Sequence, residues 1–271
     1  MNDHFVSERQ ALILAQLRQS GRVLAQDLAQ NFGVSEDTVR RDLREMAARG
    51  ECLRVYGGAL LSGSKTVPLK TRIAEDADRK ASLARAAVPL LEPGMVVFID
   101  AGSTNLAIAR AIPAGLRLTV VTNTPAIAAE LTGRADIDLV LIGGKVDPAV
   151  GAAIDAMALR QLELMRPDLC ILGVCGVAAD TGLSADVFED AVFKRLACSA
   201  SQRIVAAITT EKLGHKAAFH VHDFSPPLFL VLEQDADRAL VEALSAKGVH
   251  VQCGEDDAAQ FSTVKSEGYY R

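Results

Sequence analysis

Residues 34–44 of the chain have the sequence Val-Ser-Glu-Asp-Thr-Val-Arg-Arg-Asp-Leu-Arg, and this stretch decides the fold of the N-terminal region. Ser35 favours the position just before a helix, because its hydroxyl accepts a hydrogen bond from an N–H group of the first turn. Two acids follow it directly, where the helix dipole favours negative charge. The pattern predicts a helix from about residue 36 to residue 49, which ends at Gly50.

The predicted helix has two different faces. At about 100° per residue, Val39, Leu43 and Met46 point in one direction, which predicts that they are buried. Three arginines share an outward arc about 100° wide: Arg40, Arg41 and Arg44. Arginine can hold a phosphate group or the edge of a guanine with two parallel hydrogen bonds, so this arc is a candidate DNA-contacting surface.

The same arc also has a plainer explanation. Asp37 and Arg41 are spaced four residues apart, and so are Arg41 and Glu45, so that these side chains can form ion pairs on an ordinary solvated helix surface. For an isolated helix this second interpretation would be preferred.

The preceding residues favour DNA recognition instead. Ser7 followed by Gln10 is a capping pattern that predicts the start of a first helix. A second helix is predicted from apolar residues spaced by four: Leu24, Leu28 and Phe32. Residues 33–35 then form a tight turn. Two helices, a short turn and a third helix with an arginine face are typical of the helix-turn-helix arrangement.

Residues 51–60 predict a small hairpin, or wing, made of two short extended pieces. Arg54 would lie there beside the backbone of a bound duplex. The Gly57-Gly58 pair lets the chain turn out of the domain. We therefore expect residues 1–60 to form a small winged helix-turn-helix domain.

Charge and composition bound the possible functions. Of 271 residues, 49% are hydrophobic and 23% are charged, which excludes a disordered chain. The net charge of −5 argues mildly against a nucleic-acid partner. However, residues 1–60 hold as many arginines as acids and no lysine, so the negative charge belongs to the rest of the chain. Its distribution therefore does not oppose DNA binding by residues 1–60.

No apolar run of about 18 residues is present, and the polar start has no signal-peptide core, so we expect a cytoplasmic protein with no membrane partner. The five cysteines are odd in number and include no Cys-x-x-Cys pair. This spacing favours reduced thiols and predicts neither a disulfide framework nor a metal site.

The chain beyond residue 60 predicts a different architecture. Residues 61–78 are expected to be a linker, residues 79–253 an α/β domain, and residues 254–271 a polar tail. Strands are predicted near 95–99, 117–122, 137–142, 168–173, 203–208 and 228–232. Helices are predicted between them, near 79–91, 104–111, 125–132, 155–165, 187–200 and 235–247. Near-continuous apolar strands separated by helices indicate a mostly parallel sheet that is covered on both faces.

Ligands bind such sheets beyond the carboxyl ends of the strands, and these ends are polar or rich in glycine here. Residues 100–104, Asp-Ala-Gly-Ser-Thr, lead from a strand into a helix and would offer free N–H groups and hydroxyls that suit a phosphate. Other strands end in Thr122-Asn123-Thr124, in Gly143-Gly144-Lys145, and at Gly173 with Gly176. Glycine after a strand is usually only a turn, but four such ends together predict a pocket.

The first 60 residues resemble the head of the DeoR family of bacterial transcription regulators. The resemblance lies in residues 34–44, followed by Gly50, Leu53-Arg54 and residues 57–59, and it covers residues 7–60. It implies that the helix from residue 36 is a recognition helix. On this basis six residues are expected to contact DNA: Ser35, Thr38, Arg40, Arg41, Arg44 and Arg54.

The second block resembles the sugar-phosphate sensor domain of the same family, which is related in fold to ribose-phosphate isomerases and coenzyme A transferases. The resemblance implies that Gly102, Ser103 and Thr104 hold a phosphate. Further residues would line the sugar, namely Thr122, Asn123 and Gly144, and others would close the pocket, namely Asp186, Glu189 and Lys194. Asp100 belongs to the same expected effector-binding set.

The sequence departs from the family pattern at two positions. Tyr56 stands where the family often has histidine, so a DNA contact there is in doubt. Thr209 stands where the family commonly has aspartate, although Lys212 is retained. An effector known for a relative is therefore not transferred to this chain.

Two classes of function compete. The first is a regulator, expected to be a repressor of a carbohydrate or polyol operon, which binds operator DNA as a dimer or tetramer. It would be relieved by a phosphorylated sugar or polyol and would need no cofactor. The second is an isomerase-like enzyme acting on a sugar phosphate, in which carboxylates and Lys194 would do acid–base work. The helix-turn-helix head favours the regulator, because a metabolic isomerase has no use for it.

Overall fold

A computed structural model describes residues 2–20, 22–49, 51–55, 57–61, 69–225 and 227–254. The described residues form two compact units, one within 2–61 and one within 69–254.

The N-terminal unit has three helices and a small sheet. Its elements in chain order are α1 (Asn2–Ser20), β1 (Arg22–Leu24), α2 (Ala25–Phe32), α3 (Glu36–Ala48), β2 (Cys52–Val55) and β3 (Gly58–Leu61). β2 and β3 form the expected antiparallel hairpin, and β1 adds a third strand beside β3. Gly58 is required at this junction, because a Cβ atom there would lie 2.0 Å from the carbonyl oxygen of Val23.

The helical periodicity correctly predicted the core of this unit. Val39, Leu43 and Met46 are fully buried, together with Leu28 of α2 and Ile13 and Leu17 of α1. The expected start of the first helix was wrong: α1 begins at Asn2, so Ser7 lies inside it. No proline or glycine occurs in residues 2–6, so nothing in that stretch stops the helix from extending past Ser7.

The second predicted helix also begins later than its apolar pattern indicated. Leu24 belongs to β1 and is exposed, whereas α2 starts at Ala25. The N–H group of Ala25 donates to the carbonyl of Gly57, which ties β1 and the start of α2 to the hairpin. Tertiary pairing therefore decides the conformation of residues 22–24.

The C-terminal unit is an α/β domain. Its helices are α4 (Leu69–Ala74), α5 (Ala77–Ala87), α6 (Ser103–Ala111), α7 (Pro125–Leu131), α8 (Ala156–Glu163), α9 (Phe188–Ala200) and α10 (Arg238–Ser245), with 3₁₀ turns at Val88–Leu90 and Thr210–Lys212. Its strands are β4 (Val96–Ile99), β5 (Leu118–Thr122), β6 (Ile137–Leu141), β7 (Val146–Asp147), β8 (Ala152–Ala153), β9 (Leu169–Ile171), β10 (Gly176–Ala178), β11 (Gly182–Ala185), β12 (Arg203–Ile208), β13 (Phe219–His222), β14 (Leu228–Leu232) and β15 (His250–Cys253).

Seven of the strands described for this unit form one parallel sheet in the order β15-β14-β12-β9-β4-β5-β6. Alternate residues of β4 face opposite sides: Phe98 packs into one hydrophobic cluster, and Val97 and Ile99 pack into the other. The sheet is thus covered on both faces, as the apolar strands predicted. The sequence did not predict β15, the antiparallel sheet β10-β11-β13 or the short pair β7-β8.

Part of the expected linker is folded. Residues 62–68 lie outside the described residues, but α4 and the start of α5 occupy positions that the sequence assigned to the linker 61–78. A helix of six residues is too short to give a periodic signal, and packing against α6 stabilises it. Of the predicted tail 254–271, only Gly254 belongs to the described residues.

Candidate functional site

The start of α3 is fixed by its own side chains. The Ser35 hydroxyl accepts a hydrogen bond from the Thr38 N–H group at 3.2 Å and lies 2.9 Å from the Thr38 hydroxyl. This is the N-cap that the sequence predicted, and it satisfies a first-turn N–H group that has no partner within the helix.

Arg40, Arg41 and Arg44 are exposed, opposite the buried face of α3. Arg40 contacts Glu36 at 2.7 Å and Asp37 at 3.4 Å. Of the two ion pairs considered from the sequence, Arg41–Glu45 forms at 3.5 Å, whereas Asp37 pairs with Arg40 instead of Arg41. Within the described part of the chain, the side chain of Arg44 makes no hydrogen bond or ion pair.

A buried acid that the sequence reasoning missed holds α3 in place. Asp42 is only 3% exposed and accepts two hydrogen bonds from Arg9 of α1, at 2.6 and 3.1 Å. Gln10 donates to Asp42 at 3.3 Å and to Glu45 at 3.0 Å, so α1 and α3 are joined by a polar network. On a helical wheel Asp42 falls beside Met46 on the apolar face, which is a signal that could have revealed its role.

Arg54 is exposed on β2 of the hairpin, and its backbone pairs with Ala59 of β3. Tyr56, where a DNA contact was in doubt, lies outside the described residues. The hairpin thus provides one further exposed arginine besides those of α3.

In the C-terminal unit, three expected effector-binding segments lie at adjacent strand ends. β9, β4 and β5 are neighbours in the sheet, and they lead into Gly173, Asp100 and Asn123. The Gly173 N–H group donates to Asp100 Oδ2 at 3.0 Å, and the Thr122 hydroxyl donates to the carbonyl of Ile99 at 2.7 Å. We call these strand ends, together with the start of α6, the strand-end crevice.

Lys194 of α9 is buried in the strand-end crevice between two carboxylates. Its Nζ atom lies 2.7 Å from Asp100 Oδ2 and 2.7 Å from Asp190 Oδ1. Burial by itself would lower the pKa of Lys194, but the two carboxylates outweigh burial and raise it, so the ammonium group stays charged. Burial raises the pKa of Asp190 even though the charge of Lys194 acts in the opposite direction. The sequence reasoning had not included Asp190, although its spacing of four from Lys194 was visible.

Two buried acceptors of the strand-end crevice have no hydrogen-bond partner among the described residues. They are Asp100 Oδ1 and Asn123 Oδ1. Both side chains are fully buried, and Asn123 is held by donation from its amide to the carbonyl of Ala153 at 3.2 Å. An unsatisfied buried acceptor costs about 1–3 kcal/mol, so two at adjacent strand ends indicate a place for a hydrogen-bond donor.

The segment Gly102-Ser103-Thr104 forms the start of α6, with Gly102 at the N-cap. Asn105 fixes the turn, because its amide donates to the carbonyls of Asp100 at 2.9 Å and Ile171 at 3.2 Å. The first N–H groups of a helix have no partner within it and carry partial positive charge, which suits an anion.

The remaining expected effector residues lie elsewhere around this edge of the sheet. Gly144 is exposed after β6 and packs on Asp155, which caps α8; a Cβ atom on Gly144 would lie 2.5 Å from Asp155 Oδ1. Asp186 is half-buried and Glu189 is exposed near the start of α9, the helix that carries Lys194. The structure thus joins Asp100 and Lys194 by a direct contact and leaves Gly144 on another loop.

A network beside Thr209 positions Lys212. Glu233, after β14, accepts hydrogen bonds from the Thr210 N–H group at 2.6 Å and from the Thr210 hydroxyl at 2.7 Å. Arg79 donates to Glu233 at 2.6 Å and to Glu211 at 3.0 Å. The 3₁₀ turn is thereby fixed, and Lys212 Nζ donates to the carbonyl of Val174 at 2.9 Å.

The described residues give little support to a metal site, a reactive cysteine or a membrane-spanning helix. No cluster of three or more His, Cys, Asp or Glu side chains there is placed to hold a metal ion. All five cysteines are free thiols, and burial raises the pKa of Cys175 to about 11 and that of Cys198 to about 12. None of the helices that the structure describes has the length and apolar character needed to cross a bilayer.

Curated proteins from several microorganisms are similar to nearly the whole chain. A glycerol-3-phosphate regulon repressor of Escherichia coli (strain K12) is 30% identical over 220 residues, which cover 81% of this chain and 87% of the relative. The transcriptional regulator GolR of Listeria innocua is 27% identical, covering 93% of this chain and 100% of its own. The transcriptional repressor GlcR of Bacillus subtilis is 26% identical, covering 93% and 98%.

Among solved structures, ribose 5-phosphate isomerase A of Methanocaldococcus jannaschii overlaps with 51% of this chain and 55% of its own, with a TM-score of 0.38 and 18% identity. A TM-score this low supports no conclusion about activity.

Two family models match the chain in succession. The model of a DeoR-like helix-turn-helix domain matches residues 9–65. The model of the DeoR C terminal sensor domain matches residues 75–234, which is more than half of the chain. With a DNA-binding unit and a sensor unit in this order, the chain belongs to the DeoR family of transcriptional regulators.

Proposed function

We propose that this protein is a repressor whose helix α3 reads operator DNA. The observation that carries the proposal is the exposed arginine face of α3. The buried side of this helix is held to α1 by the Arg9–Asp42 pair. The proposed contacts to bases and phosphates come from the start and outer face of α3 and from the hairpin: Ser35, Thr38, Arg40, Arg41, Arg44 and Arg54.

The ion pairs on α3 are compatible with this role. Exposed pairs such as Arg40–Glu36 and Arg41–Glu45 contribute only about 0–1 kcal/mol, so a phosphate or guanine can replace the carboxylate. Arg44 has no carboxylate partner in the described part of the chain and is the side chain that DNA engages at least cost.

We expect Arg44→Ala to weaken operator binding by about tenfold or more, because a bidentate arginine–guanine contact contributes about 1–3 kcal/mol of discrimination. The measurement is fluorescence anisotropy of the full chain, at fixed salt, with duplex DNA from upstream of its own gene. Arg41→Ala should act in the same direction.

Arg160→Ala is the matched control, because Arg160 is exposed on α8, outside the DNA-binding unit, and the substitution removes the same charge. It should leave the isotherm unchanged. Arg44→Ala and Arg41→Ala isotherms that both superimpose on the wild type would exclude α3 as the reading helix.

We also infer that the strand-end crevice binds a phosphorylated sugar or polyol, which releases the repressor. The two unpaired acceptors, Asp100 Oδ1 and Asn123 Oδ1, would receive hydrogen bonds from ligand hydroxyls, and the start of α6 would hold the phosphate. Both acceptors are shielded from solvent, so the crevice must open for the ligand to reach them. The proposed effector contacts are Asp100, Gly102, Ser103, Thr104, Thr122, Asn123, Gly144, Asp186, Glu189 and Lys194.

A thermal-shift series with glycerol 3-phosphate, glucose 6-phosphate and fructose 1-phosphate tests the sensor. A ligand at 100 times its dissociation constant should add about 2.7 kcal/mol of stability to the folded chain. The unphosphorylated parents are the controls and should give much smaller shifts. Equal shifts from parent and phosphate ester would contradict phosphate recognition.

The crevice is proposed to sense its ligand rather than transform it. Lys194 is charged and shared between two carboxylates, so it does not offer a free base at neutral pH. Isomerisation of ribose 5-phosphate by the purified protein would support the enzyme alternative instead.

We also propose that the protein is a homo-oligomer, a dimer or tetramer, because a single small DNA-binding unit offers little interface to DNA. A cytoplasmic location is proposed because the partner is DNA.

A further inference from the structure

Arg79 joins helix α5 to the 3₁₀ turn Thr210–Lys212. Its Nε and Nη2 atoms each lie 2.6 Å from an oxygen of Glu233, so this contact is bidentate. The same guanidinium group donates to both oxygens of Glu211, at 3.0 and 3.3 Å. Glu211 belongs to the turn, whereas Glu233 follows β14 and accepts two hydrogen bonds from Thr210. One side chain of α5 therefore holds the turn both directly and through Glu233.

The carboxylate of Glu233 is the centre of this network. Only 10% of its side chain is exposed, and burial alone would raise its pKa. The hydrogen bonds from Arg79 and Thr210 outweigh burial and lower the pKa of Glu233, so the group stays charged at neutral pH. A bidentate arginine–carboxylate pair also fixes the relative orientation of its two side chains. The contact between Arg79 and Glu233 is therefore a firm connection between α5 and the end of β14.

The 3₁₀ turn is bonded on its other side to the chain that follows β9. Lys212 Nζ donates to the carbonyl of Val174 at 2.9 Å. Val174 directly follows Gly173, whose N–H group donates to Asp100 Oδ2 at 3.0 Å. Two hydrogen bonds, joined by residues 173 and 174, therefore connect the turn to Asp100 in the strand-end crevice.

Helix α5 is also bonded to α4. The residue next to Arg79 is Lys80, which is buried. Its Nζ atom donates to the carbonyl of Arg72 at 2.5 Å and also to the carbonyl of Glu75. These carbonyls lie near the end of α4 and in the bend after it, so Lys80 ties the two helices together. Because α4 directly follows residues 62–68, neighbouring residues of α5 hold the crevice side and the side of the connecting chain.

Ligand entry into the strand-end crevice would act on this chain of contacts. Asp100 Oδ1 and Asn123 Oδ1 are shielded from solvent, so the crevice has to open before a ligand can reach them. The hydrogen bond between Gly173 and Asp100 joins two of the strand ends that form the crevice, and the 3₁₀ turn is bonded to one of these ends. If that strand end moves, the turn is drawn with it, and Arg79 passes the displacement to α5.

We propose that Arg79 is a positioning residue that couples effector binding in the strand-end crevice to helices α4 and α5, and through them to the chain that leads to the DNA-binding unit. The proposal rests on the sensor function proposed above. Arg79 does not bind the ligand itself, because its guanidinium group is occupied by Glu211 and Glu233. Loss of Arg79 should therefore leave ester binding in place and reduce the effect of the ester on operator affinity.

The test compares Arg79→Gln with Arg238→Gln in the full chain. Thermal-shift titrations with glycerol 3-phosphate, glucose 6-phosphate and fructose 1-phosphate give the ester affinity. Anisotropy gives the coupling ratio, which is the operator dissociation constant with saturating ester divided by that without it. Coupling of this kind typically changes affinity about 5–150-fold. In Arg79→Gln we expect the coupling ratio to fall at least about threefold, with ester affinity within about threefold of the wild type.

Arg238→Gln is the matched control. Arg238 pairs with Glu242 on α10 of the same unit, where its side chain is 93% exposed. The substitution removes the same charge and one arginine–glutamate contact, and it should change neither the ester affinity nor the coupling ratio. Operator affinity without ester should stay close to that of the wild type in both variants, since neither residue belongs to the DNA-binding unit.

Glu233→Gln tests the same connection from its other end. The amide has a similar size and can still accept a hydrogen bond from Thr210, but it lacks the charge that Arg79 holds. The coupling ratio should fall as it does in Arg79→Gln. The double variant should lose no more coupling than either single variant, because both substitutions break one contact.

Several outcomes would overturn the role of Arg79 and leave the sensor function standing. One is a wild-type coupling ratio in Arg79→Gln, or in Glu233→Gln should Arg79→Gln not fold. Others are an equal loss of coupling in Arg238→Gln and additive losses in the double variant. Loss of folding in both single variants would also overturn it, because the network would then serve the stability of the sheet. A wild-type chain that no ester stabilises would overturn the sensor function and this proposal together.

Discussion

Replacing Lys194 with methionine is expected to lower the free energy of unfolding of the C-terminal unit by about 3–5 kcal/mol at neutral pH, because it leaves buried carboxylates without their counter-charge. Asp100 and Asp190 are almost completely buried, and each accepts a hydrogen bond from the Nζ atom of Lys194 at 2.7 Å. Methionine fills a similar volume, so the loss reports the charge and not a cavity. Urea unfolding followed by far-UV circular dichroism measures it.

The loss of unfolding free energy caused by Lys194→Met should depend on pH. Burial already raises the pKa of Asp190, and removing the opposing charge of Lys194 would raise it further. A carboxyl group whose pKa is higher in the folded than in the unfolded state destabilises the fold progressively as the pH rises through the folded pKa. The variant should therefore lose less stability at pH 5 than at pH 8.

Lys216→Met is the control for Lys194→Met. Lys216 pairs with Asp180 at the surface, where both side chains are more than half exposed, so its removal should cost no more than about 1 kcal/mol. Equal losses of stability in the two variants, or a pH-independent loss in Lys194→Met, would show that Lys194 does not stabilise the fold by neutralising Asp100 and Asp190.

Replacing Asp42 with alanine is expected to destabilise the DNA-binding unit by about 2–4 kcal/mol. It leaves the guanidinium group of Arg9, whose side chain is 15% exposed, without its carboxylate, and it removes one of the two acceptors of Gln10. Because α1 then no longer holds α3, operator affinity should fall along with stability. Chemical denaturation and anisotropy on the same samples measure the two effects.

Asp37→Ala is the matched control, since it removes an acid from the same helix where the side chain is 91% exposed. Its cost should stay at or below about 1 kcal/mol. If Asp42→Ala cost no more than Asp37→Ala, the Arg9–Asp42 pair would not be what joins α1 to α3.

The parts of this fold that were predictable are those set by local periodicity. The 3.6-residue spacing of Val39, Leu43 and Met46 gave the buried face of α3, and the continuous apolar runs gave a parallel sheet. Local patterns failed where tertiary contacts decide: the capping pattern at Ser7 lies inside a longer helix, and Leu24 became part of a strand.

The candidate crevice was predictable only in outline. The polar strand ends were visible, but the order of the strands was not, so the 2.7 Å contact between Asp100 and Lys194 could not be foreseen. Asp190 could have been found from its spacing to Lys194. Helix α4 was assigned to a linker because its six residues are too few to show a period.

The carboxylates beside the arginines of α3 have a consequence for how such a protein would search a genome. Arg40 and Arg41 hold Glu36 and Glu45 in the free state, so in the proposed role each contact with a phosphate would first displace an internal carboxylate. Random duplex, which offers only phosphate, then gains little. A sequence that also offers guanine edges would repay this displacement, so in the proposed role the internal acids would keep the protein from being sequestered on non-operator DNA.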